Sequence, residues 1–147
     1  MEIVRFYSVE DAWGEFSNFS PHPIRLLGEN WPTTEHFFQA QKFQDAAYRR
    51  KIRTSSSPSE AARLGRDRKQ KIRRDWESTK VGVMQTAVLA KFTQNAGLKE
   101  LLLSTGNAKL VEHTENDSYW GDGGDGKGRN MLGQVLMYVR EQLRDGK

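Results

Sequence analysis

The sequence has no cysteine, which excludes zinc–thiolate sites, iron–sulfur clusters, thiol nucleophiles and disulfide scaffolds. It has no apolar run near the roughly 20 residues that cross a bilayer. Its start, Met1-Glu2-Ile3-Val4-Arg5, lacks the basic and apolar zones of a signal peptide. It carries three histidines, His22, His36 and His113, scattered without H-E-x-x-H spacing, so neither a metal nor a cofactor is expected. No G-x-S-x-G elbow supports a serine nucleophile. No repeat or low-complexity linker divides the chain. These absences predict a cytoplasmic protein made of one domain over residues 1–147, without an appended module.

What is there is globular: 36% hydrophobic, 29% charged and 10% aromatic over 147 residues, enough chain to bury a core unaided. Net charge is +4, but unevenly placed. Residues 42–80 hold thirteen Lys/Arg against five Asp/Glu, while 112–125 hold five acids and no Lys or Arg. The basic band attracts phosphate, on nucleic acid or on a small metabolite. The acidic segment repels a long polyanion, so a small phosphorylated substrate is the expected partner and nucleic acid the second choice. Nothing in the sequence fixes an oligomeric state.

Short strands are predicted at 3–8, 24–27 and 109–113, the second ending in a Gly28-Glu29-Asn30 turn. A helix is predicted from Thr33 or Thr34 to about Arg53. Ser57-Pro58-Ser59-Glu60 forms a capping box that opens a short helix, stopped at Gly65 as a left-handed cap. Asp75 caps a long helix to about Asn95 with Val81, Met84, Val88 and Phe92 as its apolar stripe. Helices follow at 98–104 and 130–144, the last burying Leu132, Val135, Leu136, Val139 and Leu143. Strands and helices do not alternate, so the expected class is α+β, mainly helical, with a small β element.

Several segments could carry chemistry. On the helix starting at Thr33, Gln39 lies about 40° from Glu35 and Lys42 about 20° from it in the other direction, so carboxylate, amide and amine share one stripe. Facing solvent it is plain decoration; at a helix N-terminus it can meet an anion. Phe16-Ser17-Asn18-Phe19 sets polar groups between aromatics, for a sugar or for a turn. Arg63 and Arg66 flank a helix end and suit phosphate oxygens. Five of the eight residues 121–128 are glycine, either a flexible connector or backbone that approaches a ligand, with Trp120 and Asp122 beside it.

Phe16-Ser-Asn-Phe19, Trp31-Pro-Thr-Thr-Glu35-His-Phe-Phe-Gln-Ala-Gln-Lys-Phe43, Ala62-Arg-Leu-Gly-Arg66, Trp76, Trp120-Gly-Asp-Gly-Gly124 and Gly128-Arg-Asn-Met-Leu-Gly133 together resemble the NADAR, or YbiA-like, family. The resemblance runs through Arg140, in order, over essentially the whole chain. It implies an N-glycosidase that hydrolyses the ribose C1–N bond of 5-phosphoribosylamino-pyrimidines, early intermediates of riboflavin synthesis, releasing ribose 5-phosphate. It also leaves open removal of ADP-ribose from guanine in nucleic acid, or a non-catalytic ADP-ribose-binding module. Under it, Glu35, Asp122 and Trp76 carry over as active-site positions, and Lys42 is a candidate for attack on C1 through a Schiff base. Asn18, Phe19, Thr34, Gln39, Arg63, Arg66, Trp120 and Gly121 are the expected substrate-binding positions.

Overall fold

The computed structural model describes residues 2–146. Strand β1 (Ile3–Phe6) pairs in parallel with β4 (Lys109–Glu112), from Ile3 opposite Lys109 to Phe6 opposite Glu112. Between them run β2 (Ile24–Leu26), β3 (Glu29–Trp31), α1 (Thr34–Ala40), α2 (Ala46–Arg53), α3 (Pro58–Gly65), α4 (Trp76–Gln94) and α5 (Ala96–Ser104); α6 (Met131–Arg144) closes the chain. The class is α+β and mainly helical, as expected.

Local chemistry explains most boundaries. Thr33 is extended, and its hydroxyl accepts from the His36 amide at 3.1 Å, so α1 starts there. Ser57 accepts from Glu60 N at 3.0 Å with Pro58 at the first helical position, but the Glu60 carboxylate goes to Arg63, so the expected box forms by its Ser57 half. Asn130 turns the chain into α6 at φ 53°, and its side chain binds both Leu110 O and Glu112 N of β4.

Four expectations need correction. The helix predicted from Thr33 to Arg53 is two: α1 ends at Ala40, and Asp45 starts α2 by accepting from Ala47 N at 2.9 Å. The turn after β2 is Leu27-Gly28, both at positive φ, and Glu29–Trp31 pairs back as a strand. Asp75 sits at the N-cap of α4 but caps no amide; its carboxylate takes the Arg73 guanidinium and the Thr79 hydroxyl. Gly65 is not a left-handed cap: it lies inside α3, and Arg66 ends the helix.

Helix α4 is the spine of two apolar clusters. On one side Met84, Val88 and Phe92 join Val4, Phe6, Phe16, Leu110 and the buried row Leu132, Val135, Leu136, Val139 and Leu143 of α6. On the other, Ala87 and Ala90 pack with Ile24, Trp31, Phe37, Phe43, Tyr48 and Ile52. Helix α1 straddles the seam, giving Phe38 to the first cluster and Phe37 with Ala40 to the second. Among the described residues no helix is long and apolar enough to cross a membrane.

Candidate active site

A cavity of about 360 Å³ lies where α1, the middle of α4 and the end of β4 converge, within the size range of small-molecule sites. Glu35, Phe38 and Gln39 come from α1, with Lys42 just beyond it; Ala62 and Arg66 come from α3 and its end. Met84 of α4 forms the floor, and Glu112, Asn116, Asp117 and Trp120 form the far wall.

Two members of the stripe bond each other, and the third, Lys42, lies beyond the end of α1 and bonds α3 instead. Gln39 Nε2 donates to Glu35 Oε2 at 2.7 Å, and Lys42 Nζ donates to Gly65 O at 3.3 Å. Gly65 is needed for close approach: a Cβ there would stand 2.0 Å from Gln39 Oε1. The Phe16–Asn18 turn is docked on α1 from the other side. Thr34 donates its hydroxyl proton to Asn18 Oδ1 at 2.9 Å, and Glu35 N donates to Asn18 O at 3.2 Å. The same turn is held from α4 by Lys91, fully buried, whose Nζ donates to Ser17 O at 2.9 Å and to Glu15 O.

Charge in this cavity is frustrated by burial. Burial pushes the Glu35 carboxyl up from its ordinary value and Asp117 adds to the shift, against the Gln39 hydrogen bond and the charges of Lys42 and Arg66. Lys42 is pushed down, first by burial and then by Arg66 and Lys80, while Glu35 and Glu77 oppose the shift. Glu112 is pushed up to about 7 by burial, then by the negative charges of Asp117, Glu35 and Asp122. Carboxylates able to hold or lose a proton thus face an amine and a guanidinium, the composition of a site that handles phosphate and moves protons.

Of the residues expected from sequence, Glu35, Gln39, Lys42, Asn18, Phe19, Arg66 and Trp120 share this cavity. Others lie elsewhere. Asp122 does not line it: its carboxylate binds His113 Nδ1 at 2.7 Å, Gly124 N at 2.8 Å and Thr114 N at 3.1 Å. Burial opposes the ionised form there, but those three hydrogen bonds outweigh it and hold Asp122 below its ordinary value. Trp76 is core, packed behind Phe38 at 5.1 Å between ring centres, so it backs the cavity wall rather than lining it. Arg63 is exposed and paired with Glu60. Thr34 is buried under Asn18, and Gly121 packs on Thr114, where a Cβ would stand 2.6 Å from its Cγ2. The glycine loop is bonded to its own neighbours, Gly123 N to Asp117 O and Gly128 N to Asp122 O. The Glu35 and His36 amides at the start of α1 are likewise occupied, by Asn18 and Thr33, so they offer no anion site.

Sequence reasoning missed Tyr7, Met84, Glu112, Thr114, Asn116 and Asp117. The cluster of acids at 112–125 is visible in the chain, but which of them point inward depends on the β1–β4 pairing. Asp117 Oδ1 accepts from Tyr119 N and Trp120 N at 2.9 and 2.8 Å, which turns Trp120 toward Phe38 at 5.3 Å.

The chain is 60% identical over 141 residues to "N-glycosidase YbiA" of Escherichia coli (strain K12), covering 96% of this chain and 88% of that protein. It is 44% identical to "Riboflavin biosynthesis protein VVA0006" of Vibrio vulnificus (strain YJ016), over 97% of this chain and 39% of that longer protein. The NMR structure of the E. coli protein YbiA superimposes with a TM-score of 0.92 at 59% identity, over 99% of this chain and 86% of that one. A family model described as NADAR domain matches residues 5–144, and the chain belongs to that family.

Proposed function

We propose that this protein is an N-glycosidase that hydrolyses the ribose C1–N bond of a 5-phosphoribosylamino-pyrimidine, releasing ribose 5-phosphate and the aminopyrimidine. N-glycosidase is the activity in the name of its 60%-identical relative, and riboflavin biosynthesis is in that of the Vibrio protein. The observation that carries the finer reading is one buried carboxylate, Glu35, facing Lys42 and Arg66 across a single small cavity.

Departure of the base builds positive charge on C1 and the ring oxygen. A carboxylate preorganised by Gln39 stabilises that charge, and it can take a proton from the water that adds to C1. Arg66 and Lys42 suit the 5-phosphate, the guanidinium by its fork and the amine as a point charge. Asn18, held by Thr34 and beside Met84, offers hydrogen bonds to ribose hydroxyls. Trp120 and Phe38 wall the sugar from solvent. In this account Asp122 and Trp76 act as positioning residues, the first through the Thr114–Trp120 turn and the second through Phe38.

The test is incubation with a 5-phosphoribosylamino-pyrimidine, following ribose 5-phosphate by mass spectrometry. Release by the wild-type protein is the expected result. Absence of release, together with removal of ADP-ribose from modified guanine, would replace the metabolite by nucleic acid as substrate.

A further inference from the structure

Two hollows meet at Glu112. Tyr7, Ser17, Phe19 and Glu112 line both the cavity of about 360 Å³ and an adjoining one of about 250 Å³ that continues over Ser8 and Val9. The two differ in character. The first contains Glu35, Lys42, Arg66 and Asp117; in the second, Glu112 is the charged residue among its lining residues, beside the half-exposed rings of Tyr7 and Phe19. A ligand made of a phosphorylated sugar and a planar heterocycle divides the same way. The charged part suits the first hollow and the flat ring suits the aromatic one, which leaves the bond between them at the shared wall.

Glu112 is the carboxyl group of that wall, and its backbone is fixed on three sides. It pairs with Phe6 across the sheet, its N–H donates to Asn130 Oδ1 at 3.0 Å, and its carbonyl accepts from Asp122 N at 2.9 Å. Resting on the N-glycosidase reading above, we propose that Glu112 is a catalytic acid that donates its carboxyl proton to the leaving nitrogen of the heterocycle.

The step balances without a co-reactant. The C1–N bond breaks with its electron pair going to nitrogen, and the Glu112 proton joins that nitrogen, leaving Glu112 as carboxylate. A water oxygen bonds to C1, and the proton it sheds is taken by Glu35. Return of that proton from Glu35 to Glu112 through solvent restores both groups, so the sum is substrate plus water giving ribose 5-phosphate and the aminopyrimidine. An acid in this role must be protonated near neutrality. Around Glu112 stand Glu35 of α1, Asp117 and Asp122 of the following loop, and Tyr7 just after β1, with Lys42 and Arg66 across the cavity. Burial and the three acids keep the proton on it up to about pH 7.

The test compares Glu112→Gln with wild type on two substrates: the phosphoribosylamino-pyrimidine, whose nitrogen leaves poorly unless protonated, and 4-nitrophenyl riboside 5-phosphate, whose leaving group departs as a stable anion. The proposal expects kcat on the pyrimidine to fall about 10²–10⁴-fold, the contribution of a positioned acid. On the nitrophenyl substrate it expects near wild-type turnover. It also expects the wild-type loss of kcat above about pH 7 to vanish in Glu112→Gln and to persist in the weaker Glu112→Asp, both checked for folding by circular dichroism. Equal losses on both substrates, or a Gln variant that keeps both rate and pH limb, would overturn the acid role. A wild-type protein inactive on the pyrimidine would overturn the substrate reading and the acid role with it.

Discussion

Gln39 Nε2 donates to Glu35 Oε2 across 2.7 Å, one helical turn apart, and that bond is possible because Gly65 of the neighbouring helix has no side chain. The amide thus fixes a buried carboxylate in one orientation, facing the cavity's cations. In Gln39→Ala the carboxylate loses the bond that favours its charged form, so its pKa rises further. The acid limb of the activity profile is expected to move to higher pH, measured as kcat against pH.

Gly65→Ala puts a methyl group where Gln39 stands and should lower stability by about 1–3 kcal/mol, the usual cost of overpacking. Gly82, mid-helix with nothing within 4 Å of where a Cβ would stand, is the control. There alanine should stabilise by about 0.5–1 kcal/mol through helix propensity. Urea unfolding of the two variants, read side by side, separates close approach from propensity; two variants of equal sign would contradict the packing argument.

In the proposed reaction Lys42 acts as a charge beside Glu35 and the substrate's phosphate. Lys42→Arg should retain activity within about tenfold, and Lys42→Met should lose more than about a hundredfold, the loss of a charge-assisted contact in a dry site. An inactive Arg variant, with a wild-type adduct trapped by borohydride, would show covalent attack by the amine instead.

The caps at Thr33 and Ser57 and the shared stripe of Glu35, Gln39 and Lys42 are legible in the sequence because they follow from local rules, and the structure contains all of them. The helix break before Asp45 is not, because Asp45 reads as one more surface charge rather than as the N-cap that restarts the helix. Glu112 and Asp117 escape because their entry into the cavity depends on a parallel strand pairing that spans over a hundred residues. Lys91 escapes as well: on an apolar helix its charge reads as solvated, whereas it is buried to hold the carbonyls of the Phe16–Asn18 turn.

Lys91 makes stability depend on pH. Burial lowers it from 10.5 to about 7, so between those values the unfolded chain binds a proton that the folded chain does not. Stability should therefore rise with pH across that window, by up to about 1.4 kcal/mol per pH unit, with the penalty fully present below it. Lys91→Met removes the slope and leaves the Glu15 and Ser17 carbonyls without their donor, at a cost of about 1–3 kcal/mol. Thermal unfolding of both proteins from about pH 6 to pH 10 checks the slope; parallel curves would contradict it.

Asp122 is expected to matter for stability at acid pH rather than for the chemical step. Its folded pKa lies below the ordinary 3.8, so its contribution is present above that value and is lost as pH falls through the folded one. Asp122→Asn should flatten acid unfolding, and whatever kcat it loses should follow disorder in the Thr114–Trp120 turn, read by Trp120 fluorescence. A folded Asn variant with an undisturbed turn and no turnover would put Asp122 in the chemistry after all.

The proposed chemistry puts the Glu35 carboxylate to work on the ribose C1–N bond inside this cavity. Its most direct test is single-turnover release of ribose 5-phosphate from bound phosphoribosylamino-pyrimidine by wild type and by Glu35→Gln, with binding measured separately. Release is expected to slow by about a thousandfold or more with binding changed only a few fold, the mark of an interaction made in the transition state. Wild-type release from Glu35→Gln would contradict it.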